Sequence, residues 1–185
     1  MNGSEDGPPT KMPVALIDVL AAHQLKEGIL CALIQKAKTG KGACVEVSLE
    51  KAALASLVNQ ASYFLMTGNI PQRLGSLHPN IAPYGELFQT RDKKWIILAV
   101  GSDEQFKKLN VILNTPENDA DSRFASNTNR VKNRIELFDI LQREFQNTSS
   151  DMFEHEAMMS GVPYGRVRDM AEVFERDAAS KSVFD

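Results

Sequence analysis

Val14-Ala15-Leu16-Ile17 opens a long apolar stretch after a polar, Gly- and Pro-rich start over residues 1–12. From about residue 19 the spacing becomes helical. Leu25, Ile29, Leu33 and Ala37 fall at intervals of four, which predicts a helix over 19–37. Ala22, Cys31 and Ala32 make its opposite face apolar too, so this helix is expected to be buried. Thr39-Gly40-Lys41-Gly42 should stop it, because glycine after the last turn takes a left-handed cap and Lys38 suits the negative end of the helix dipole. Val45, Val47 and Leu49 then alternate with polar residues, predicting a strand over 44–49 with one buried face. Ser48 is placed to cap a second helix, over 49–65, rich in Ala52, Ala53, Leu54, Ala55, Leu57 and Val58.

The pattern then changes. Residues 68–84 form a long loop, of a length that is uncommon inside a compact domain and is often functional. Residues 86–90 and 95–100 read as a β-hairpin turning at Arg91-Asp92-Lys93. Ser102 or Asp103 caps a helix to about residue 113, with Phe106 and Leu109 facing inward. A polar connector over 115–128 leads to an amphipathic helix over 129–145, with Val131, Ile135, Phe138 and Leu141 on one side. A helix over 149–159, a turn at Gly161-Val162-Pro163-Tyr164-Gly165 and a short helix over 168–176 complete the chain. Before residue 70 there is one strand where an α/β layer needs several. After it there is a small α+β unit.

Composition narrows the field. The 185 residues carry a formal net charge of −3 with mixed signs along the chain, so no basic stripe marks a nucleic-acid partner. No apolar run reaches the length of a membrane span, and the first residues lack the pattern of a signal peptide. Two cysteines, Cys31 and Cys44, are too few for a disulfide framework. These features together predict a reduced, cytoplasmic protein.

Local motifs do not specify a reaction. Thr39-Gly40-Lys41-Gly42 lacks the earlier glycine and the following Ser/Thr of a phosphate loop. His23, His78 and His155 have no metal-ligand spacing, so no metal site is expected. His78 stands apart because it lies in the long loop, beside Pro79 and Asn80 and before Tyr84. Asp18 opens the buried helix. It has two readings: an N-cap for the helix, or a carboxylate aimed into a cleft as an acid or base.

Three ordered blocks together resemble the class III CoA-transferases, the CaiB/BaiF family that includes formyl-CoA transferase, carnitine CoA-transferases and α-methylacyl-CoA racemases. The first runs from Ile17-Asp18 through Gly28-Ile29-Leu30-Cys31-Ala32-Leu33 to Thr39-Gly40-Lys41-Gly42 and Val45-Glu46-Val47-Ser48-Leu49. The second is His78-Pro79-Asn80-Ile81-Ala82-Pro83-Tyr84, followed by Phe88-Gln89-Thr90-Arg91-Asp92, Ile97-Leu98-Ala99-Val100-Gly101 and Gln105-Phe106. The third is Gly161-Val162-Pro163-Tyr164-Gly165 with Val167 and Glu172-Val173-Phe174, although Arg166 stands where the family usually has Pro.

The resemblance implies a fold of α/β plus α+β type. Residues 1–69 would be part of a Rossmann-like large domain, 70–160 a small α+β domain, and 161–185 a linker and helix returning toward the large domain. It implies acyl-CoA and a carboxylic acid as substrates, coenzyme A as the group moved, no covalently bound cofactor, and an interlocked homodimer. In the transferases a carboxylate attacks the acyl-CoA thioester and forms an aspartyl intermediate. That aspartate lies in a Gly-Tyr-Asp-like motif, which this sequence lacks before residue 18. The chain is therefore expected to correspond to the middle of such an enzyme and to be inactive alone. Asp18 matches a second acid of the family, which in the racemases exchanges a proton. His78, Asn80, Tyr84, Gly161, Pro163 and Gly165 are the expected substrate-binding residues, in a pattern closest to members acting on dicarboxylates. A 2-methylacyl-CoA racemase and a non-catalytic assembly module remain the alternatives.

Overall fold

A computed structural model describes residues 2–175. The chain divides into two compact units, one ending at Gly75 and the other beginning at Ser76.

The first unit is helical: α1 (Leu16–Thr39), α2 (Leu49–Ser56) and α3 (Val58–Thr67). Gly40 ends α1 in the left-handed conformation, φ 72°, and its N–H donates to Lys36 O at 2.8 Å, as the Thr-Gly-Lys-Gly run predicts. Ser48 caps α2 by accepting from the Lys51 N–H at 3.2 Å. Gly28 has a packing reason: a Cβ there would lie 2.6 Å from Cγ1 of Val45, so its absence lets residues 44–49 run close against α1.

Three expectations for this unit need correction. Residues 41–48 form no paired strand, because no strand lies in this unit among the described residues and a lone extended segment has no ladder to join. The helix over 49–65 breaks at Leu57, and Val58 follows with φ 42°. The helix α1 is not buried. Leu25, Ile29, Leu30, Leu33 and Ile34 are all exposed, and Ala52 is the one buried residue among those described in this unit. Its periodicity marks a surface made for burial, and this chain supplies too little to cover it.

The second unit contains β1 (Tyr84–Gln89), β2 (Trp95–Ala99), α4 (Asp103–Ile112), α5 (Glu117–Ala120), α6 (Asn127–Lys132), α7 (Arg134–Asn147), α8 (Ser150–Ser160), β3 (Tyr164–Val167) and α9 (Met170–Phe174). The strands form an antiparallel sheet in the order β1-β2-β3. The hairpin is as predicted. Its tip is tied to α8 by Asp92, whose carboxylate accepts from the Ser150 N–H at 2.8 Å and the Ser150 hydroxyl at 2.6 Å. Gln142 on α7 accepts from the Gln89 N–H at 3.0 Å and donates to its carbonyl at 2.9 Å.

The core of this unit is aromatic. Phe88 stacks on Phe145 (4.8 Å) and Phe138 (5.0 Å), Phe145 meets Phe153 (4.8 Å), and Phe153 meets Tyr164 edge-on (5.6 Å). Ile96, Leu98, Phe106, Leu109, Leu137 and Leu141 close around them. Full burial of one such side chain contributes about 1.5–3 kcal/mol. Nearly all the hydrophobic stabilisation therefore resides in the second unit.

The helix expected over 129–145 is two helices, interrupted at Asn133 (φ −107°, ψ 30°). The break changes the phase of the buried stripe. Ile135, expected inward, is 79% exposed, while Leu137, Leu141 and Phe145 face the core. The expected turn at 161–165 is half strand, since Tyr164 and Gly165 pair with Leu98 and Ile97. Arg166 fits where the family usually has Pro: it pairs with Ile96, and its guanidinium donates to Asp151 and Glu154, both at 2.9 Å. The last helix begins at a capping box of Asp169 and Glu172; Arg176 lies outside the described residues.

Candidate functional site

Residues 78–84 form a closed loop that runs into β1, with Pro79, Asn80 and Tyr84 exposed and Ala82 and Pro83 buried. The His78 N–H donates to Tyr84 O at 2.9 Å, which brings the two ends of the loop together. The rings of His78 and Tyr84 meet edge-on at 5.3 Å. The Asn80 N–H donates to His78 Nδ1 at 3.2 Å. A neutral ring accepting at Nδ1 carries its proton on Nε2, leaving that nitrogen as a donor. Tyr84 and Asn80 are exposed and His78 is half-buried, so all three are accessible.

Gly85 sets the angle at which the loop enters β1. Its φ is +89°, and a Cβ would lie 1.9 Å from Ser76 O. The Ser76 hydroxyl donates to Gly85 O at 2.5 Å.

Three residues on the helices behind the loop hold its backbone. Asn127 donates to Asn80 O at 2.8 Å and accepts from the Ala82 N–H at 3.2 Å. Arg130, wholly buried, donates to Ala82 O at 2.8 Å and Phe124 O at 3.0 Å, pairs with Asp103 at 2.6 Å, and lies 4.5 Å from the Phe106 ring centre. Arg134 donates to His78 O at 2.7 Å and to Ile81 O. Behind Arg134 sits Glu86, 2% exposed, with Oε1 3.0 Å from Arg134 Nε. Burial pushes the Glu86 carboxyl above its ordinary value more strongly than the Arg134 guanidinium pulls it down.

These loop-holding residues were not foreseen. The signal available was polar residues at 127, 130 and 134, intervals of three and four, running from the expected connector into the helix read for its apolar face.

The third block lies at the same end of the sheet. Gly161 ends α8 in the left-handed conformation, φ 71°, and the Val162 N–H donates to Ala157 O at 2.9 Å. Pro163 O accepts from the Ala99 N–H at 3.1 Å, while Ala99 pairs with Tyr84 on its other side. Gly165 lies against Ile97, where a Cβ would sit 3.1 Å from Cγ2. Tyr84 and Pro163 thus flank one end of β2, about 10 Å apart across two strand spacings.

Asp18 belongs to the first unit. It is exposed in the first turn of α1, where Ala15 is the N-cap and no side chain caps the helix. The capping reading is therefore corrected: the carboxylate sits inside the first turn, where it interacts with the helix dipole without closing a cap. His23 is exposed, with Lys26 Nζ 3.1 Å from its Nδ1, and His155 is exposed on α8. Among the described residues no three His, Cys, Asp or Glu side chains are placed to hold a metal ion, and no helix is long and apolar enough to cross a membrane.

A family model for CoA-transferase family III matches residues 1–183. The human succinyl-CoA:glutarate CoA-transferase is 34% identical over 174 residues, covering 94% of this chain and 39% of that protein. Succinate–glutarate CoA-transferase of Agrobacterium fabrum is also 34% identical, over 94% of this chain and 43% of that protein. The crystal structure of a CaiB/BaiF family protein from Brucella suis superposes with a TM-score of 0.78 at 35% identity, covering 98% of this chain and 47% of the other. The chain thus spans about two-fifths of the length of these curated relatives. With its three blocks in order, its small antiparallel sheet and helices matching a solved member, and the family model running nearly end to end, the chain belongs to CoA-transferase family III.

Proposed function

We propose that this chain contributes the acid-binding side of a transferase that moves CoA between an acyl-CoA and a dicarboxylic acid through an aspartyl intermediate. The observation that carries this reading is the His78 loop, whose Nε2–H, Asn80 side-chain amide and Tyr84 hydroxyl offer three donors from one closed loop and the start of β1. A carboxylate is an acceptor only and is matched by such a set. Relatives named for succinate and glutarate support a dicarboxylate over a monocarboxylate. Gly161, Pro163 and Gly165 are assigned to the same site from the other side of β2, where a Cβ at Gly161 would meet nothing within 4 Å and Gly165 lets β3 pack close on Ile97.

In this reading Asp18 supplies the second acid near the thioester, residues 1–69 belong to the large domain, 70–160 to the small domain, and 161–185 lead back toward the large one. The working enzyme is an interlocked homodimer of chains longer than this one, and the 185 residues alone do not turn over.

The test is exchange of CoA from succinyl-CoA onto labelled glutarate. The 185-residue chain should give background only. In a protein that carries this chain and exchanges CoA, His78→Ala should raise KM for glutarate about tenfold, the loss of one charge-assisted hydrogen bond, with KM for succinyl-CoA unchanged. An unchanged glutarate KM removes His78 from the site.

A further inference from the structure

We infer that Arg134 is a positioning residue that acts through His78, and that Glu86 is the support that keeps it in place. The inference rests on the reading of residues 78–84 as the acid-binding loop. It goes further by naming what gives that loop its shape.

Geometry carries the argument. One Nη2 of Arg134 serves two carbonyls, His78 O and Ile81 O, three residues apart. Drawing those carbonyls to a common donor folds the backbone between them into a tight turn. That turn brings the Asn80 N–H to His78 Nδ1. With Nδ1 occupied, Nε2–H is the ring's free donor, and the ring is held against Tyr84. Arg134 therefore orients the His78 donor while contacting only its backbone.

Glu86 is the unusual partner. Its carboxylate is almost wholly buried beside Arg134 Nε, and neither oxygen makes a well-aligned hydrogen bond. Burying a carboxylate whose hydrogen bonds are this poorly aligned is costly, and a core of this kind would be more stable with an apolar residue there. The charge has a local use. It holds a guanidinium whose other end grips the loop. Asn127 and Arg130 fix Asn80, Ala82 and the far side of the turn, so among the described residues it is Arg134 that holds the His78 carbonyl.

The arrangement predicts coupling between residues 134 and 78. The experiment titrates glutarate into the full 185-residue chain and follows the Tyr84 ring resonances. Wild type, Arg134→Gln, His78→Ala and the double variant are compared, with melting and amide hydrogen exchange recorded for each. Arg134→Gln should weaken glutarate binding about tenfold and accelerate exchange at the Asn80 amide, while the amides of the Phe88 cluster stay protected. The double variant should bind no more weakly than His78→Ala alone, because a residue acting through His78 has nothing left to orient. Glu86→Gln keeps the shape of the side chain and should reproduce a milder form of both effects if Arg134→Gln folds poorly.

Additive losses in the double variant, or an unaltered Asn80 amide in a folded Arg134→Gln chain, overturn the inference. If His78→Ala itself leaves glutarate affinity unchanged, or wild type does not bind, the acid-binding reading falls. The loop's dependence on Arg134 is then decided by the exchange data alone.

Discussion

Gly85 joins the candidate site to the sheet, and its substitution should be felt at both. A Cβ there meets Ser76 O at 1.9 Å with φ at +89°, so neither backbone nor neighbour can absorb a side chain without moving. Gly85→Ala should cost about 2–4 kcal/mol, the sum of left-handed strain and overpacking, read as a lowered denaturant midpoint. A change below the error of the measurement would mean that residues 76–77 give way freely. Arg130 illustrates the same scale from the other direction. A fully buried cation is legible in sequence only as one more arginine on a helix. Its role depends on carbonyls 48 and 6 residues away, and no periodicity encodes those.

Among the elements, the best-read were those whose ends carry their own chemistry. Gly40, Ser48, Ser102 and the 90–94 turn all act as local signals, since a cap or a turn is satisfied by its own neighbours. The misread elements depend on distant partners. Residues 44–49 have the alternation of a strand and no strand beside them. Tyr164 and Gly165, the last two residues of the expected turn, instead open β3 because β2 offers an open edge. In the candidate site, the exposed half (His78, Asn80 and Tyr84) was legible as a motif. The supporting half (Asn127, Arg130, Arg134 and Glu86) was not, because its roles depend on loop carbonyls and partners distant in the chain.

Element packing also has a pH signature. The bonds from Ser150, its hydroxyl first, hold the Asp92 carboxyl far below its ordinary value of 3.8. A lowered value in the folded chain means that the tie between hairpin and α8 contributes fully above about pH 4 and is lost as pH falls further. Wild type should therefore lose melting temperature steeply on acidification below that point. Asp92→Asn should start a few degrees lower at neutral pH and fall less. Parallel curves for the two proteins would show that the tie carries no linkage.

For the whole molecule, the contrast between the two units is the main fact. The second unit buries an aromatic core. The first exposes Leu25, Ile29, Leu30, Leu33, Ile34, Leu54, Leu65 and Met66 while burying Ala52. Isolated apolar residues on a surface are ordinary, but a helix exposing them on several faces invites association. The purified chain should self-associate at micromolar concentration and bind a hydrophobic dye, with sedimentation velocity showing species larger than a monomer. A single monomeric boundary without dye binding would refute this.

The second unit ends its sheet differently. β1 is an edge strand, and both ends of its outward backbone are already taken: Tyr84 O by the His78 N–H, Gly85 O by the Ser76 hydroxyl, and both groups of Gln89 by the Gln142 amide. The Gln142 side chain stands where the peptide group of a fourth strand would. An extended segment from another molecule therefore finds only a short stretch of this edge to hydrogen-bond, and fibril-like growth through β1 is hindered at its two ends by one glutamine and the loop that also forms the candidate site.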